Sequence, residues 1–302
     1  MTNVAGAPGA DGASAPAPIG ERKISETLHF ARRNPKLLIG SSIVLLLLLT
    51  GLIGPFFVGD DPNAYVGPQS QPPSGEYWLG TTSFGQDIWA QFVYGLRSTF
   101  LIGVFGGGVA FVVGTVVGFV AGYKGGIIDE ILNMITNVVL VLPAMVVLIV
   151  AVAYLDARGV FVQGVFIGLT SWPWAARAVR SQALSLATRD FVDLARLSGR
   201  RTWRIITSEI APNMSSYLVM TFILLFGGAI LIAAGLDFIG LGPTNGVSLG
   251  LMLESAAAWS ALQLQMWWWF IPPGLGITTL VGSLYILNVG LDEVFNPKLR
   301  EL

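Results

Sequence analysis

The chain has 302 residues, 53% hydrophobic and only 12% charged, with a formal net charge of −1 and no cysteine. Soluble domains carry about a quarter charged residues, so a mean hydropathy of +0.68 excludes an ordinary soluble protein. The missing cysteine excludes a disulfide framework and a cysteine-based metal site.

In chain order, Met1–Gly20 is Ala, Gly, Pro and Ser with one Asp. It holds too little apolar surface to offset the entropy of ordering, and a disordered cytoplasmic tail is expected. Glu21–Lys36 is basic (Arg22, Lys23, Arg32, Arg33, Lys36) and reads as a juxtamembrane segment along the headgroups before Pro35 turns the chain inward. The single histidine, His29, lies there without a second His to share a metal, so neither a metal site nor a catalytic residue is expected.

Six runs contain no Asp, Glu, Lys or Arg: Leu37–Val58, Ser98–Tyr123, Ile131–Leu155, Gly159–Ala176, Ile210–Leu236 and Ser255–Leu291. A helix needs about 20 such residues to cross about 30 Å of hydrocarbon. The reading is an all-α integral membrane protein with about six transmembrane helices over Leu37–Leu302. Leu37–Val58 exceeds the apolar core of a signal peptide and has no small-residue cleavage pattern after it, so it reads as an anchoring span.

The connecting loops differ in charge. Gly59–Arg97 carries Asp60, Asp61, Glu76 and Asp87 with a single Arg, and Asp237–Glu254 carries no Lys or Arg. The Arg177–Glu209 loop carries Arg177, Arg180, Arg189, Arg196, Arg200, Arg201 and Arg204. Cytoplasmic loops collect Lys and Arg. Both termini and the 177–209 loop are therefore expected inside, with 59–97 outside.

Small residues recur every fourth position in the second run, at Gly106, Ala110, Gly114, Gly118 and Gly122. Such a stripe lets helix backbones approach closely in lipid. The third run holds Asn133, Thr136 and Asn137; these, with Asn213 and Asn288, read either as interhelical hydrogen bonding or as lining of a polar pathway. Gly240, Gly242, Pro243 and Gly246 break helix geometry, so irregular or re-entrant structure is expected there. Trp259, Trp267, Trp268 and Trp269 read as an aromatic belt at the outer interface.

Between the fourth and fifth runs stands DFVDLARLSGRRTWRIITSEIAP, Asp190 to Pro212. Asp190 is a reasonable N-cap, and Asp193 favours the positive end of a helix. Phe191, Leu194 and Ala195 fall on one apolar face, with Arg189, Asp193, Arg196 and Arg200 on another. Ser198-Gly199 ends this short helix, and a second, about Thr202–Ser208, leads to Pro212. Ala195 is a small residue where a partner could come close.

This elbow resembles the coupling loop of ABC-importer permeases, with Asp193-Leu194-Ala195 where that pattern has Glu-Ala-Ala, then Gly199 and Pro212. From about Lys36 to Leu302 the chain resembles the dipeptide/oligopeptide/nickel group of these permeases, as the second of their two permease subunits. Leu79-Gly80-Thr81 with Gly85-Gln86-Asp87 is similar to the LGTDxxGRD motif before the second span. Gly122-Tyr123-Lys124-Gly125-Gly126 with Asp129 is similar to a GYYGGxxD turn, and Asp237-Phe238-Ile239-Gly240-Leu241-Gly242 to an LSFLGLG stretch. Gln86 stands for the customary Arg, and Asp237 for Ser.

The resemblance implies a type I ABC importer permease fold in a bacterial cytoplasmic membrane. It implies coupling through Asp190, Phe191, Asp193, Leu194, Ala195, Arg196, Gly199 and Arg200. No phosphate-binding loop occurs here, so ATP and Mg would be held by two separate ATP-binding subunits. A homologous permease subunit and an extracellular substrate-binding lipoprotein complete the implied set; membrane lipids are expected around it, and no nucleic acid. Peptides are the first-choice cargo, with oligosaccharides and nickel chelates as alternatives. An ion-coupled transporter would want charged relays within its spans, and a channel or scaffold leaves the basic elbow unexplained.

Overall fold

The computed structural model describes residues 34–59, 61–154, 159–244 and 246–295. Met1–Gly20, most of the basic segment with His29, and the Asn296-Pro297 ending lie outside the described residues. Among the described residues eleven α-helices, one 3-10 turn and one π turn dominate. The only β pairing among the described residues is two isolated bridges, Tyr65 with Gln86 and Thr81 with Asp87.

Helix α1, Pro35–Ile53, has Pro at its first position and Asn34 as N-cap, whose side chain accepts from Leu37 N. Proline suits that place because its missing N–H would have no helical partner. Asn34 Nδ2 also donates to Glu293 Oε2 at 2.8 Å, and Lys36 pairs with the other Glu293 oxygen. The start of α1 is thereby tied to the end of the last helix, α11, Trp267–Phe295.

Helix α2 runs Ile88–Lys124, 37 residues, starting well ahead of the apolar run that opens at Ser98. The 59–97 loop thus ends at Asp87. Next come α3, Gly126–Val141, and α4, Ala144–Tyr154, which meet at 79°. Pro143 has no N–H to continue α3 and forces Leu142 into an extended conformation (ψ 128°). The third run is therefore a bent pair rather than one straight span. Helix α5, Val160–Ala187, carries Arg177 and Arg180 on its last turns, so those arginines belong to a helix and not to the loop.

After the short α6, Asp190–Leu197, come α7, Thr202–Ile205, a π turn over Ile206–Ile210, α8, Ala211–Asn213, and α9, Ser215–Phe238. The stretch expected to be irregular contains α10, Leu249–Ala258, N-capped by Ser248, whose side chain accepts from Leu251 N.

By length and apolarity four helices can cross a membrane: α1 with its following turn, α2, α9 and α11; the bent pair makes a fifth. Helix α5, from the fourth apolar run, is too polar to pass by composition, yet it lies along α2 from Gly164 beside Gly106 to Arg180 beside Gly122. Its polar side chains are served by protein instead of water: Gln163 is 5% exposed and donates to Asp237 Oδ1 at 2.6 Å.

The most extensive helix pair is α2 against α5, and the small-residue stripe is its seam. A Cβ on Gly118 would stand 2.7 Å from Ala176 O, and one on Gly122 would stand 2.7 Å from Arg180 O. Helix meets helix through backbone. Gly118→Leu is expected to cost at least about 3 kcal/mol, the upper end of overpacking penalties, and to lower the melting temperature of the purified chain by roughly 5 °C or more. Gly108→Ala, where a Cβ meets nothing within 4 Å, should melt near the parent; equal melting of the two variants would show the seam is slack.

The main core joins α2, α9, α10 and α11 through Leu96, Phe100, Phe226, Ile230, Leu249, Trp269 and Leu280. Large apolar side chains stay uncovered on α1 (Leu46, 64%) and α3 (Val141, 83%). Faces of this kind fit lipid or a second membrane subunit.

Candidate functional site

The elbow begins with Arg189 as the extended N-cap of α6, without a side-chain cap bond. Asp190 is the first helical residue, not the cap; with Asp193 it sits in the first turn, where negative charge meets the positive helix end. The sequence offers two apolar strips, Phe191/Leu194/Leu197 and Val192/Ala195. The second turns inward: Val192 is fully buried and Ala195 nearly so, packed with Val179, Ala183, Ile205, Ile206 and Ile210, and Phe191 packs partly against them. Branched Val and small Ala fit the narrow space between α5 and α7. Ala195 is thus not an open approach point.

What faces outward is Leu194 (63% exposed), Leu197 (84%) and Trp203 (62%), with Arg189, Arg200, Arg201 and Arg204 exposed around them. Exposed Leu and Trp in an arginine-rich segment are the make-up of a protein interface. Neither Leu197 nor Trp203 stood out in the sequence; the Phe191/Leu194/Leu197 spacing at i, i+3, i+6 was the signal for Leu197, and Trp203, beyond α6, had none.

The turn after α6 is a Schellman motif. Arg200 N donates to Ala195 O at 3.2 Å and Gly199 N to Arg196 O at 3.0 Å, with Gly199 at φ 69°. Arg200 Nη1 then bonds Glu209 Oε1 at 2.5 Å, closing the elbow on itself. A π turn follows, in which Ala211 N reaches back to Ile206 O. Asn213 Nδ2 donates to Glu209 O at 2.6 Å.

Two further contacts anchor the elbow. Arg196 lies 5.0 Å over the Tyr123 ring and donates from Nε to its hydroxyl at 3.3 Å, while its Nη1 bonds Asp193 Oδ1 at 2.9 Å. Arg180 on α5 grips Asp129 on α3 through Nε and Nη2, the latter at 2.6 Å from Oδ2. Tyr123 and Asp129 both belong to the GYYGGxxD-like turn, so that motif fastens α2 and α3 to the elbow and to α5. Asn137 Oδ1 accepts from Arg177 Nη2 at 2.6 Å, and Asn133 lies in the same α3–α5 contact. Asn213 also lines a cavity of about 490 Å³ with Gln182, Met220 and Asp292.

The opposite end carries a clasp built by Leu79, Gly80, Thr81, Gly85 and Asp87. Thr81 is fully buried; its hydroxyl donates to Pro68 O at 2.6 Å and accepts from Gln71 N at 2.9 Å. Trp268 Nε1 donates to Thr81 O at 3.2 Å. Gly80 is at φ 75°, and a Cβ there would stand 2.5 Å from Gln71 O. Leu79 packs against the main core. Trp269 is buried and Trp259 meets Phe84 edge-on at 4.6 Å. Trp268 and Trp259 hold the 59–87 loop to the bundle, while Trp269 is buried in the core rather than on its surface. Asp237, the residue standing for Ser, is buried and accepts from Gln163 and from Ser248, which joins α5, α9 and α10.

Asp87 caps α2 by accepting from Trp89 N at 2.9 Å. Burial pushes its carboxyl above the ordinary 3.8, with the N–H groups of Trp89 and Ala90 pulling it back. A carboxyl raised on folding binds its proton more tightly in the folded chain, so its contribution to stability declines as pH climbs from about 3.8 through the raised value. Asp87→Asn keeps an acceptor and removes the charge. It is expected to melt no lower than the parent at pH 8, while Asp87→Ala loses about 1 kcal/mol. Thermal melts of all three at pH 4 and 8 check both signs.

At the α3–α4 bend a cavity of about 410 Å³ opens among Leu140, Thr170, Ser171, Leu225, Gly228 and Tyr285. Pro173 inside α5 stands on its wall. It is mainly apolar and was not foreseen.

A family model for the binding-protein-dependent transport system inner membrane component matches residues 114–301. The chain belongs to this family. It is similar to a putative peptide transport system permease protein of Brucella abortus, 32% identical over 286 residues, covering 93% of this chain and 94% of that one. It is also similar to the dipeptide transport system permease protein of Alkalihalophilus pseudofirmus, 31% identical with 91% and 90% covered. The oligopeptide transport system permease protein of Bacillus subtilis is 28% identical, with 89% and 88% covered.

Proposed function

We propose that this inner membrane component is one half of the translocation path of an ATP-driven peptide importer. The observation that carries the reading is the elbow: uncovered Leu194, Leu197 and Trp203 in an arginine-rich segment, with a Gly199 turn and Arg196 braced against Tyr123. A surface of this make-up is left for a protein partner, and the partner we assign to it is an ATP-binding subunit holding ATP and Mg. The arginine-rich elbow end and both termini lie in the cytoplasm of a bacterium, and the clasp end faces outward, where a substrate-binding lipoprotein delivers cargo. A homologous permease subunit covers the exposed faces of α3 and α4. Coupling runs through Asp190, Phe191, Asp193 and Arg196 as braces and through Leu194, Leu197 and Trp203 as contacts. Peptide cargo is supported by the relatives, which are named as peptide, dipeptide and oligopeptide transport permeases.

The test is purification in mild detergent from the native host, followed by uptake of labelled di- and oligopeptides into proteoliposomes made from what co-purifies. Recovery of two ATPase subunits, a sister permease and a binding protein, with ATP-dependent peptide uptake, is the expected result. A homo-oligomer without an ATPase overturns the importer reading; uptake of oligosaccharide in place of peptide overturns the cargo.

A further inference from the structure

Between its Asp87 cap and Tyr123, α2 carries one charged side chain, Arg97, which is also the only Lys or Arg between Lys36 and Lys124. The residue is exposed. Among the described residues no carboxylate, carbonyl or hydroxyl accepts from its guanidinium. By contrast Lys36, Arg177, Arg180, Arg196 and Arg200 each have a partner. A charge beside hydrocarbon is costly unless an anion meets it, so the counter-ion of Arg97 comes from outside the described chain.

What covers α2 fixes where that anion lies. No residue from Ile88 to Leu96 is exposed; Val93 packs against Gly54 of the turn after α1, and Gly95 against Leu249 of α10. From Arg97 inward an uncovered strip opens. Leu101, Val104, Val112 and Val116 are all exposed, and a Cβ on Gly108, in line with them, meets nothing within 4 Å. Steps of three and four keep these positions on one helix face. Helix α1 passes at the level of Arg97: a Cβ on Gly51 would stand 3.0 Å from Arg97 N, and Leu49, Leu52 and Ile53 are uncovered on the turns around Gly51. From Arg97 to Gly108 the helix rises about 16 Å, close to one leaflet's share, about 15 Å, of the hydrocarbon core. That register puts Arg97 at the polar boundary of the leaflet on the clasp side, its stem along apolar surface and its head among phosphates. It also leaves Tyr123, under Arg196 of the elbow, beyond the opposite boundary.

We propose that Arg97 holds the phosphate of a membrane phospholipid in the leaflet at the clasp end, with an acyl chain lying along Leu101, Val104 and Gly108. The planar guanidinium fork matches two phosphate oxygens. The strip beneath it is apolar for the length of one acyl chain, which free phosphate would leave empty.

The test counts lipids on the intact complex. It is purified in detergent, stripped of lipid and titrated with dioleoylphosphatidylglycerol, and the bound lipids are counted by native mass spectrometry. Arg97→Gln is expected to carry one lipid fewer than the parent at low concentration. Its affinity for that lipid should fall about tenfold, what one charge-assisted bond is worth. Arg97→Lys keeps the charge without the fork and should lose less. Dioleoylglycerol, the same chains without phosphate, and inorganic phosphate, the anion without chains, should each fail to displace the lipid from the parent. Those two arms need no variant, so they hold if Arg97→Gln fails to fold.

Equal lipid counts on parent and Arg97→Gln, or displacement by dioleoylglycerol or by phosphate alone, overturn the proposal. So does an Arg97→Gln complex that sheds another membrane subunit with its lipid count unchanged, since the counter-ion would then be a protein carboxylate. Counting lipids needs neither cargo nor ATP and can be done on whatever assembly purifies, so its failure and that of the importer reading are told apart.

Discussion

Leu197→Glu combined with Leu194→Glu is expected to abolish peptide uptake while the chain still inserts and folds. Both side chains point away from the protein, at 84% and 63% exposure, so the substitutions leave its own packing untouched. A buried apolar contact at the centre of an interface is worth about 2 kcal/mol or more, roughly a 30-fold loss of affinity, and two carboxylates forced into that contact add desolvation cost. The readouts are co-purification of the ATPase subunits, ATP-dependent uptake in proteoliposomes, and melting temperature. Loss of the first two with the third unchanged is the expected pattern. Full uptake with the ATPase retained would mean that the elbow is not the docking surface. Ala195→Trp would not serve this test: Ala195 is 7% exposed beneath the helix, and a larger side chain there would displace α6 from α5.

Gly228→Phe should block passage without weakening the fold. A Cβ at Gly228 meets no atom within 4 Å, and the residue lines the cavity of about 410 Å³ at the α3–α4 bend. A benzyl group fills open space there rather than overpacking a core, so stability should shift by less than about 0.5 kcal/mol, as for a surface substitution. Uptake should fall at least tenfold, while ATP hydrolysis by the reconstituted complex continues. Parent-level uptake would place the path elsewhere along the bundle.

Much of this architecture could be read from residue order alone, and the exceptions share a cause. The first, second, fifth and sixth apolar runs each became a helix because length and hydropathy act on every residue of a run. Boundaries did not follow hydropathy. Helix α2 begins where Asp87 caps it, and α5 continues past Arg177 because that guanidinium finds Asn137 and Arg180 finds Asp129. Charge ended the apolar run there, but a helix ends where its backbone bonds do. Pro143 was visible as a breaker; the 79° bend depends on what packs on either side. The Gly199 turn could be foreseen, since few other residues sit at φ 69° without strain. Which strip of α6 turned inward could not, because both have helical spacing and the choice rests with the width of the space beneath.

Helix α2 spans about 55 Å at 1.5 Å per residue, from the Asp87 cap to Tyr123 under Arg196. Its seam with α5 sets glycine against backbone carbonyls and against the Cβ atoms of Ala175, Val179 and Ala183. If the elbow docks an ATP-binding subunit as proposed, this pair would act as a single lever: a push delivered to the elbow would reappear at the far end as a swing of the clasp, scaled by where the lever pivots.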